Sequence, residues 1–388
     1  MRIGQFTDSF LPIVDGVGRV LESYADVLGG MGHAVTVFAP GARMGDVSRR
    51  PFRVVTYRTV RMPKLPYRVG LPRLDVRFDR RLNHSRLDIV HVHSPFMVGR
   101  AGLRYARLHG VPVVGTFHSK FYDDFKQALK LESLARFGVR QVADFYEQCD
   151  EVWAVAETSA HTLYSYGYRG RISVMPNGVS LRVLDDSVLP ELRARYGLMP
   201  DIPLLLFVGQ MNHKKNVLRI LQAARLLSAE GIPYKLLLCG KGPHAAEIAG
   251  YVRQMGLSSR VELTGHIASM RELDGLYALS RLFVFPSLYD CAPMVLREAA
   301  AMGTPTVVIA GSNAAECVQS GINGFTCEDT PESLREAMKA AILNETAAAL
   351  LGEEAKRTIA VPWETLMQKV VGRYKALLER EGVRCRTV

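Results

Sequence analysis

Two carboxylates open the argument. Asp290 and Glu298 bracket seven residues in a run that passes from Phe285-Pro286-Ser287 through Cys291-Ala292-Pro293 into a helical segment beginning near Met294. Each carboxylate can accept hydrogen bonds from vicinal hydroxyls, the chemistry that a ribose or a hexose requires. The first turn of the helix, around Cys291 to Met294, offers backbone N–H groups for a phosphate or sugar oxygen. The plain alternative is an Asp favoured at a helix start and a solvated helical Glu.

A cation comes second. In Gly209-Gln210-Met211-Asn212-His213-Lys214-Lys215-Asn216, Lys215 falls where a strand mouth meets a helix start, and there it can neutralise a diphosphate; a solvated turn lysine is the alternative. Gly240-Lys241-Gly242-Pro243 is a glycine turn after a strand, a weak signal by itself. Gly16 and Gly18, in Val14-Asp15-Gly16-Val17-Gly18, let the backbone approach a ligand ahead of a helix. The full G-x-G-x-x-G fingerprint is absent and Phe38-Ala39-Pro40 ends the second strand without an acid, which argues against a nicotinamide dehydrogenase. His118 follows a buried strand at the end where open α/β sheets bind ligands, although a lone histidine there is more often structural. His91 and His93 flank Val92, expected on alternate faces of another strand end; one is read as structural and both are left out of the site.

The elements needed to hold these residues are legible. Short apolar runs, most of them continuous, predict strands at Met1–Phe6, Ala34–Ala39, Ile89–Val92, Val111–Thr116 and Glu151–Val155. A second series follows at Leu204–Gly209, Tyr234–Cys239, Val261–Thr264, Leu282–Phe285 and Thr306–Ile309. Amphipathic stretches such as Gly18–Met31 and Val217–Ala229 lie between them, with Gly32 and Gly231 as stops. Alternation run twice predicts two doubly wound, Rossmann-like α/β domains, 1–178 and 179–362. Leu181–Leu198 reads as a polar connector, and Trp363–Glu379 as a closing helix of the segment 363–388, packed back on the first domain.

At 388 residues, 48% hydrophobic and 22% charged, the chain fits two globular domains and excludes disordered and fibrous classes. Its six cysteines form no C-x-x-C pair, which points to reduced thiols in a cytoplasmic setting and away from a structural metal. No apolar run reaches the ~18 residues of a spanning helix. Residues 49–86 carry twelve Lys/Arg against two Asp, a stretch suited to anionic lipid, nucleic acid or a solvated face.

Taken in order, six motifs resemble the retaining glycosyltransferases of family four, with their two-domain GT-B fold facing a cleft. They are Asp15-Gly16-Val17, Thr116-Phe117-His118, Pro176-Asn177-Gly178-Val179, Gly209 to Asn216, Gly240-Lys241-Gly242-Pro243 and Asp290 to Glu298, the last followed by Gly303-Thr304-Pro305. The resemblance implies a nucleotide-sugar in the second domain and an acceptor in the first. Glu298 would hold the ribose, Asp290 the donor hexose, Cys291, Ala292, Pro293 and Met294 the sugar and phosphate by backbone, and Lys215 the diphosphate. Gly16, Gly209, Gln210, Gly240, Gly242, Ile267 and Val295 complete the implied donor contacts. His118 would touch the transferred sugar, making His118, Lys215 and Asp290 the catalytic set. Departures are Asp290 for the family's first Glu, Gln210 for its diphosphate Arg, Lys214 for a Glu, and Gly311 to Glu316 in place of a Gly-Gly turn. No metal or other cofactor is implied.

His118 to Phe125 is similar to the segment in bacterial enzymes that glycosylate diacylglycerol, so His118, Lys120, Tyr122 and Asp123 are the expected acceptor contacts for a lipid or lipid-linked hydroxyl. Tyr57, Leu65, Tyr67, Leu71, Leu74 and Phe78, interleaved in the basic stretch, would enter a headgroup layer on the inner face of a membrane. The expected reaction is hexose transfer from a UDP-sugar with retention. Rival readings are a nucleotide-sugar epimerase on the same fold and a polyanion-binding or nucleic-acid-binding protein with a degenerate site.

Overall fold

The computed structural model describes residues 1–10, 16–41, 49–61, 68–380 and 382. Asp15 of the first glycine loop, and Leu65 and Tyr67 of the basic stretch, lie outside the described residues. The chain divides into two compact units, Met1–Asn177 with Trp363–Val388, and Gly178–Pro362.

In the first unit the strands are β1 (Arg2–Phe6), β2 (Ala34–Pro40), β3 (Phe52–Tyr57), β4 (Thr59–Arg61), β5 (Arg68–Gly70), β6 (Ile89–Val92), β7 (Val113–Phe117), β8 (Glu151–Ala154) and β9 (Ile172–Val174). Its helices are α1 (Gly16–Gly30), α2 (Val76–Asn83), α3 (Met97–His109), α4 (Tyr122–Leu129), α5 (Glu132–Tyr146) and α6 (Glu157–Ser165). The main sheet runs β3-β2-β1-β6-β7-β8-β9, parallel at every pairing. The order reverses between β1 and β6, whose carboxyl ends flank the crevice where such sheets hold ligands.

This unit's core follows from strands buried on both faces. Phe6 stacks on Phe38 at 4.4 Å, and Tyr57 and Phe78 meet edge to face at 5.5 Å, each 1% exposed. Those two rings therefore cannot enter a headgroup layer. Tyr57 closes β3 inward, and Phe78 sits on the buried face of a helix capped by Asp75. Among the described members of that set, Leu74 is the exposed one, at 73%. The C-terminal helix Trp363–Arg380 joins the same unit. Trp363 packs edge to face on Tyr24, Tyr374 stacks on Trp153, and Arg373 pairs with Glu151.

In the second unit the strands are β10 (Leu204–Val208), β11 (Lys235–Cys239), β12 (Val261–Gly265), β13 (Ser280–Phe285), β14 (Thr306–Ile309) and β15 (Gly324–Cys327). The helices are α7 (Leu189–Tyr196), α8 (Val217–Ala229), α9 (Ala245–Gln254), α10 (Met270–Leu279), α11 (Met294–Ala301), α12 (Pro331–Leu343) and α13 (Glu345–Thr358). The sheet order is β12-β11-β10-β13-β14-β15, again parallel, with its switch between β10 and β13. The supposed connector Leu181–Leu198 instead contains α7. Pro190 sets its first turn and Gly197, at φ +59°, ends it, while Leu192 and Tyr196 face the core.

Candidate active site

The second unit's switch point carries the cation and the first carboxylate. The loop after β10 ends in a short turn, His213–Lys215, whose start is fixed by the Asn212 side chain accepting from the Lys215 N–H at 3.2 Å. The loop after β13 delivers Asp290. Lys215 Nζ donates to Asp290 Oδ1 at 2.5 Å and Oδ2 at 2.6 Å, and Ser287 Oγ donates to Oδ2 at 2.5 Å. Asn216, held at φ +57°, reaches across with its amide to the Pro286 carbonyl and to Asp329. Lys214 Nζ lies 4.0 Å from the centre of the Tyr289 ring.

The glycines here serve a close approach. At Gly240, with φ +147°, a Cβ would stand 1.8 Å from the Gly209 carbonyl oxygen, and at Gly242 it would stand 2.4 Å from that of Met211. Two backbone bonds, Met211 N–H to the Lys241 carbonyl and His244 N–H to that of Met211, zip the loops together. Gln210 is exposed and accepts from Asn212, and Ile267 follows β12 at the same end of the sheet, half-buried against the core.

Cys291, Ala292 and Pro293 lead into α11. Pro293 holds the N-cap position and has no N–H, so it is the one of the four residues expected to donate from the backbone that cannot; no side chain caps the helix. Met294 and Val295 are half-buried in its first turn. Glu298, one turn on, is 3% exposed and accepts from the Tyr277 hydroxyl at 3.4 Å. It is not a solvated helical Glu.

The first unit holds Gly16, His118, Lys120, Tyr122 and Asp123. Gly16 opens α1, and a Cβ there would meet nothing within 4 Å. His118 follows β7 and is 9% exposed, its Nε2 2.9 Å from His93 Nδ1, while His93 Nε2 lies 2.6 Å from Gln5 Oε1. His91 is on the same face as His93, not the alternate one expected, because residues two apart on a strand share a face; their ring centres are 4.1 Å apart, and His91 spans from Tyr374 to Thr116. Burial lowers all three imidazoles, His118 to about 4 and the others well below their ordinary range. They are neutral at pH 7, and between neutral imidazoles one nitrogen donates while the other accepts. His93 and Gln5 thus orient His118. The sequence displayed their strand ends but not the contact.

A further residue at this switch point escaped the sequence. Asp8, two residues past β1, accepts from the Tyr57 hydroxyl at 2.8 Å, and burial raises its carboxyl to about 6. Lys120, Tyr122 and Asp123 line a cavity of about 410 Å³ with Arg136, Val139, Thr162, Ser165 and Tyr166. His118 is not among its lining residues, so the expected acceptor set is divided. Among the described residues, His213, His244 and Glu247 bring three potential metal-ligand atoms within 4.8 Å of one another.

Comparison with known proteins agrees with this geometry. Residues 14–183 match the model for Glycosyltransferase Family 4, and residues 190–358 match that for Glycosyl transferases group 1. The chain is 27% identical to the alpha-monoglucosyldiacylglycerol synthase of Streptococcus pneumoniae, over 79% of this chain and 70% of that one. It is 27% identical to a GDP-mannose-dependent alpha-mannosyltransferase of Corynebacterium glutamicum, over 96% and 88%. Anabaena HepE, solved with UDP and glucose, superposes with a TM-score of 0.78 at 17% identity, over 97% of this chain and 99% of that one. Two parallel Rossmann-like sheets matching the GT-B fold, with both halves matched by models of one enzyme group, place this chain in the group 1, family 4 glycosyltransferases, as a hexosyltransferase.

Proposed function

We propose that the chain moves a hexose from a UDP-sugar, with retention of configuration, to a hydroxyl of a lipid or lipid-linked acceptor. The carrying observation is Lys215 at the β10/β13 switch point, its ammonium held beside the uncapped start of α11 by Asp290. A cation and a helix N-terminus at one strand mouth can stabilise a departing diphosphate, the cation turning to it from Asp290. In this reading Glu298 takes the ribose hydroxyls, and Gln210, Gly209, Gly240, Gly242 and Ile267 border the nucleotide. Gly16 gives the diphosphate room. The acceptor hydroxyl attacks from the leaving-group side and a β-phosphate oxygen takes its proton, so Asp290 positions the sugar and no protein nucleophile is needed. His118, kept neutral by burial, offers a hydrogen bond to the sugar rather than a charge.

The UDP-sugar reading is supported by the neighbour solved with UDP and glucose, and the lipid acceptor by the diacylglycerol glucosyltransferase relative. No described helix is long and apolar enough to cross a membrane. A surface contact has material in α4 and α5, where Leu129, Leu131, Leu134 and Phe137 are exposed amid Lys126, Lys130, Arg136 and Arg140. The test is incubation with labelled UDP-glucose, UDP-galactose, UDP-N-acetylglucosamine and GDP-mannose plus a membrane lipid extract. Label from a UDP-sugar entering the organic phase, with an α-linked product, supports the reading. Label from GDP-mannose alone, or none in the lipid, overturns the donor or the acceptor respectively.

A further inference from the structure

We propose that His213, His244 and Glu247 form a binding site for a borderline divalent transition-metal ion of the Zn²⁺ type, beside the loop that presents Lys215. One candidate ligand atom from each residue lies within 4.8 Å of the others. His213 Nε2 is 3.3 Å from Glu247 Oε2, and the two imidazole rings are 3.8 Å apart between centres. Zinc bonds of ~2.1 Å to nitrogen and oxygen set tetrahedral ligands about 3.4 Å apart, so closing this set takes side-chain rotations that part the two ring centres and turn one nitrogen of each toward Glu247. Two imidazoles and a carboxylate are borderline ligands, and three protein ligands leave a fourth position for water or a ligand oxygen.

The surroundings are built for it. His244 and Glu247 stand three residues apart at the start of α9, hence on one face. His213 comes from the opposite loop, brought within reach by the same close approach that forbids a side chain at Gly240 and Gly242. His244 Nδ1 is sealed from solvent without a hydrogen bond, so none must be broken at that atom when the ring turns toward an ion. Tyr251 donates to Glu247 Oε1 at 3.1 Å, which fixes the carboxylate while Oε2 faces His213. Lys214 and Lys215 follow His213 directly, so an ion here staples their loop to α9. The inference rests on these three side chains and not on the identity of the donor.

The test uses tag-free full-length protein stripped with a chelator and titrated with Co²⁺, then Zn²⁺. Expected are one Co²⁺ per chain with the intense visible bands of low coordination, no thiolate charge-transfer band, and displacement by Zn²⁺. Wild-type melting temperature should rise with Zn²⁺. His213→Ala, His244→Ala and Glu247→Gln should each weaken Co²⁺ binding at least tenfold. His213 is exposed, so its variant should fold with an unchanged metal-free melting temperature. Binding of equal strength in the variants, a thiolate band, or a spectrum of the hydrated ion would overturn the site and leave a surface ion pair only.

Discussion

The ammonium of Lys215 and the carboxylate of Asp290 sit in bidentate contact, 2.5 and 2.6 Å apart, although 75 residues separate them in the chain. Their side chains are 15% and 20% exposed, so the pair is neither a screened surface bridge nor a fully desolvated one. Asp290 holds Lys215 in place, and under the proposed function it also competes with the donor diphosphate for it.

That double role has a sign. Lys215→Ala should lower kcat/KM by about 30-fold to 1000-fold, the ~2–4 kcal/mol of one preorganised donor. Asp290→Asn should lower kcat at least tenfold while UDP affinity holds or rises, because Lys215 is released to the diphosphate. Calorimetry with UDP on both variants decides the matter. Equal loss of UDP affinity in the two would show that Asp290 serves only to fix the lysine.

The His118 imidazole predicts a pH dependence of stability. Its folded value of about 4 lies below the ordinary 6.5, so between these the unfolded chain binds a proton that the folded one does not. Stability is full above about pH 6.5 and declines as pH falls toward 4, by up to about 3 kcal/mol from this group. Asp8, raised to about 6, acts in the opposite direction, losing stability as pH rises through its range. Urea unfolding at pH 7.5 and 5 should give a smaller difference for His118→Asn than for wild type. Asp8, His91 and His93 are present in both proteins, so the comparison reads His118 together with its contact to His93, and identical pH differences would refute the assignment.

All ten strands expected from the sequence are present, and the reason is physical. All but β12 are interior strands of parallel sheets, largely buried on both faces, so most read as continuous apolar runs, while β12 is a half-buried edge strand marked only by Val261 and Leu263. The unread strands are edge or short ones. β3 is punctuated by Arg53, β9 is half-buried throughout, and β15 carries a glycine. Lys215 and Asp290 were visible as residue types in loops after strands and Glu298 as one inside a helix, but the Lys215–Asp290 pair and the burial of Glu298 arise only from tertiary packing. The same holds for His93 against His118, 25 residues apart, and for His213 against His244, which local ligand spacing does not reveal. Tyr57 and Phe78 misled because a ring among arginines looks amphipathic in sequence, whichever way it points.

Gly240 and Gly250 offer a controlled contrast. At Gly240 a methyl group would collide with the Gly209 carbonyl, and the backbone is in a region closed to other residues. Gly240→Ala should cost about 3 kcal/mol or more and weaken UDP binding by parting the two loops. Gly250, inside α9 with nothing within 4 Å of its would-be Cβ, should gain up to about 1 kcal/mol on substitution by Ala. Equal denaturation midpoints for the two variants would show that the loops can part without loss.

Phe137 tests the membrane contact separately from the chemistry. It is 63% exposed on α5, so Phe137→Glu should change stability by no more than about 0.5 kcal/mol. The substitution removes an apolar ring and places a negative charge between Arg136 and Arg140, opposing the attraction of an anionic surface. Co-sedimentation with phosphatidylglycerol-rich vesicles should fall at least fivefold, and the remaining wild-type binding should weaken with added salt as the charges are screened. Hydrolysis of donor in the absence of lipid should stay at the wild-type rate, since the nucleotide loops belong to the Gly178–Pro362 unit. Undiminished vesicle binding by Phe137→Glu and by Leu134→Glu would remove this face from membrane docking, and the residual candidate would be the basic stretch around Leu74.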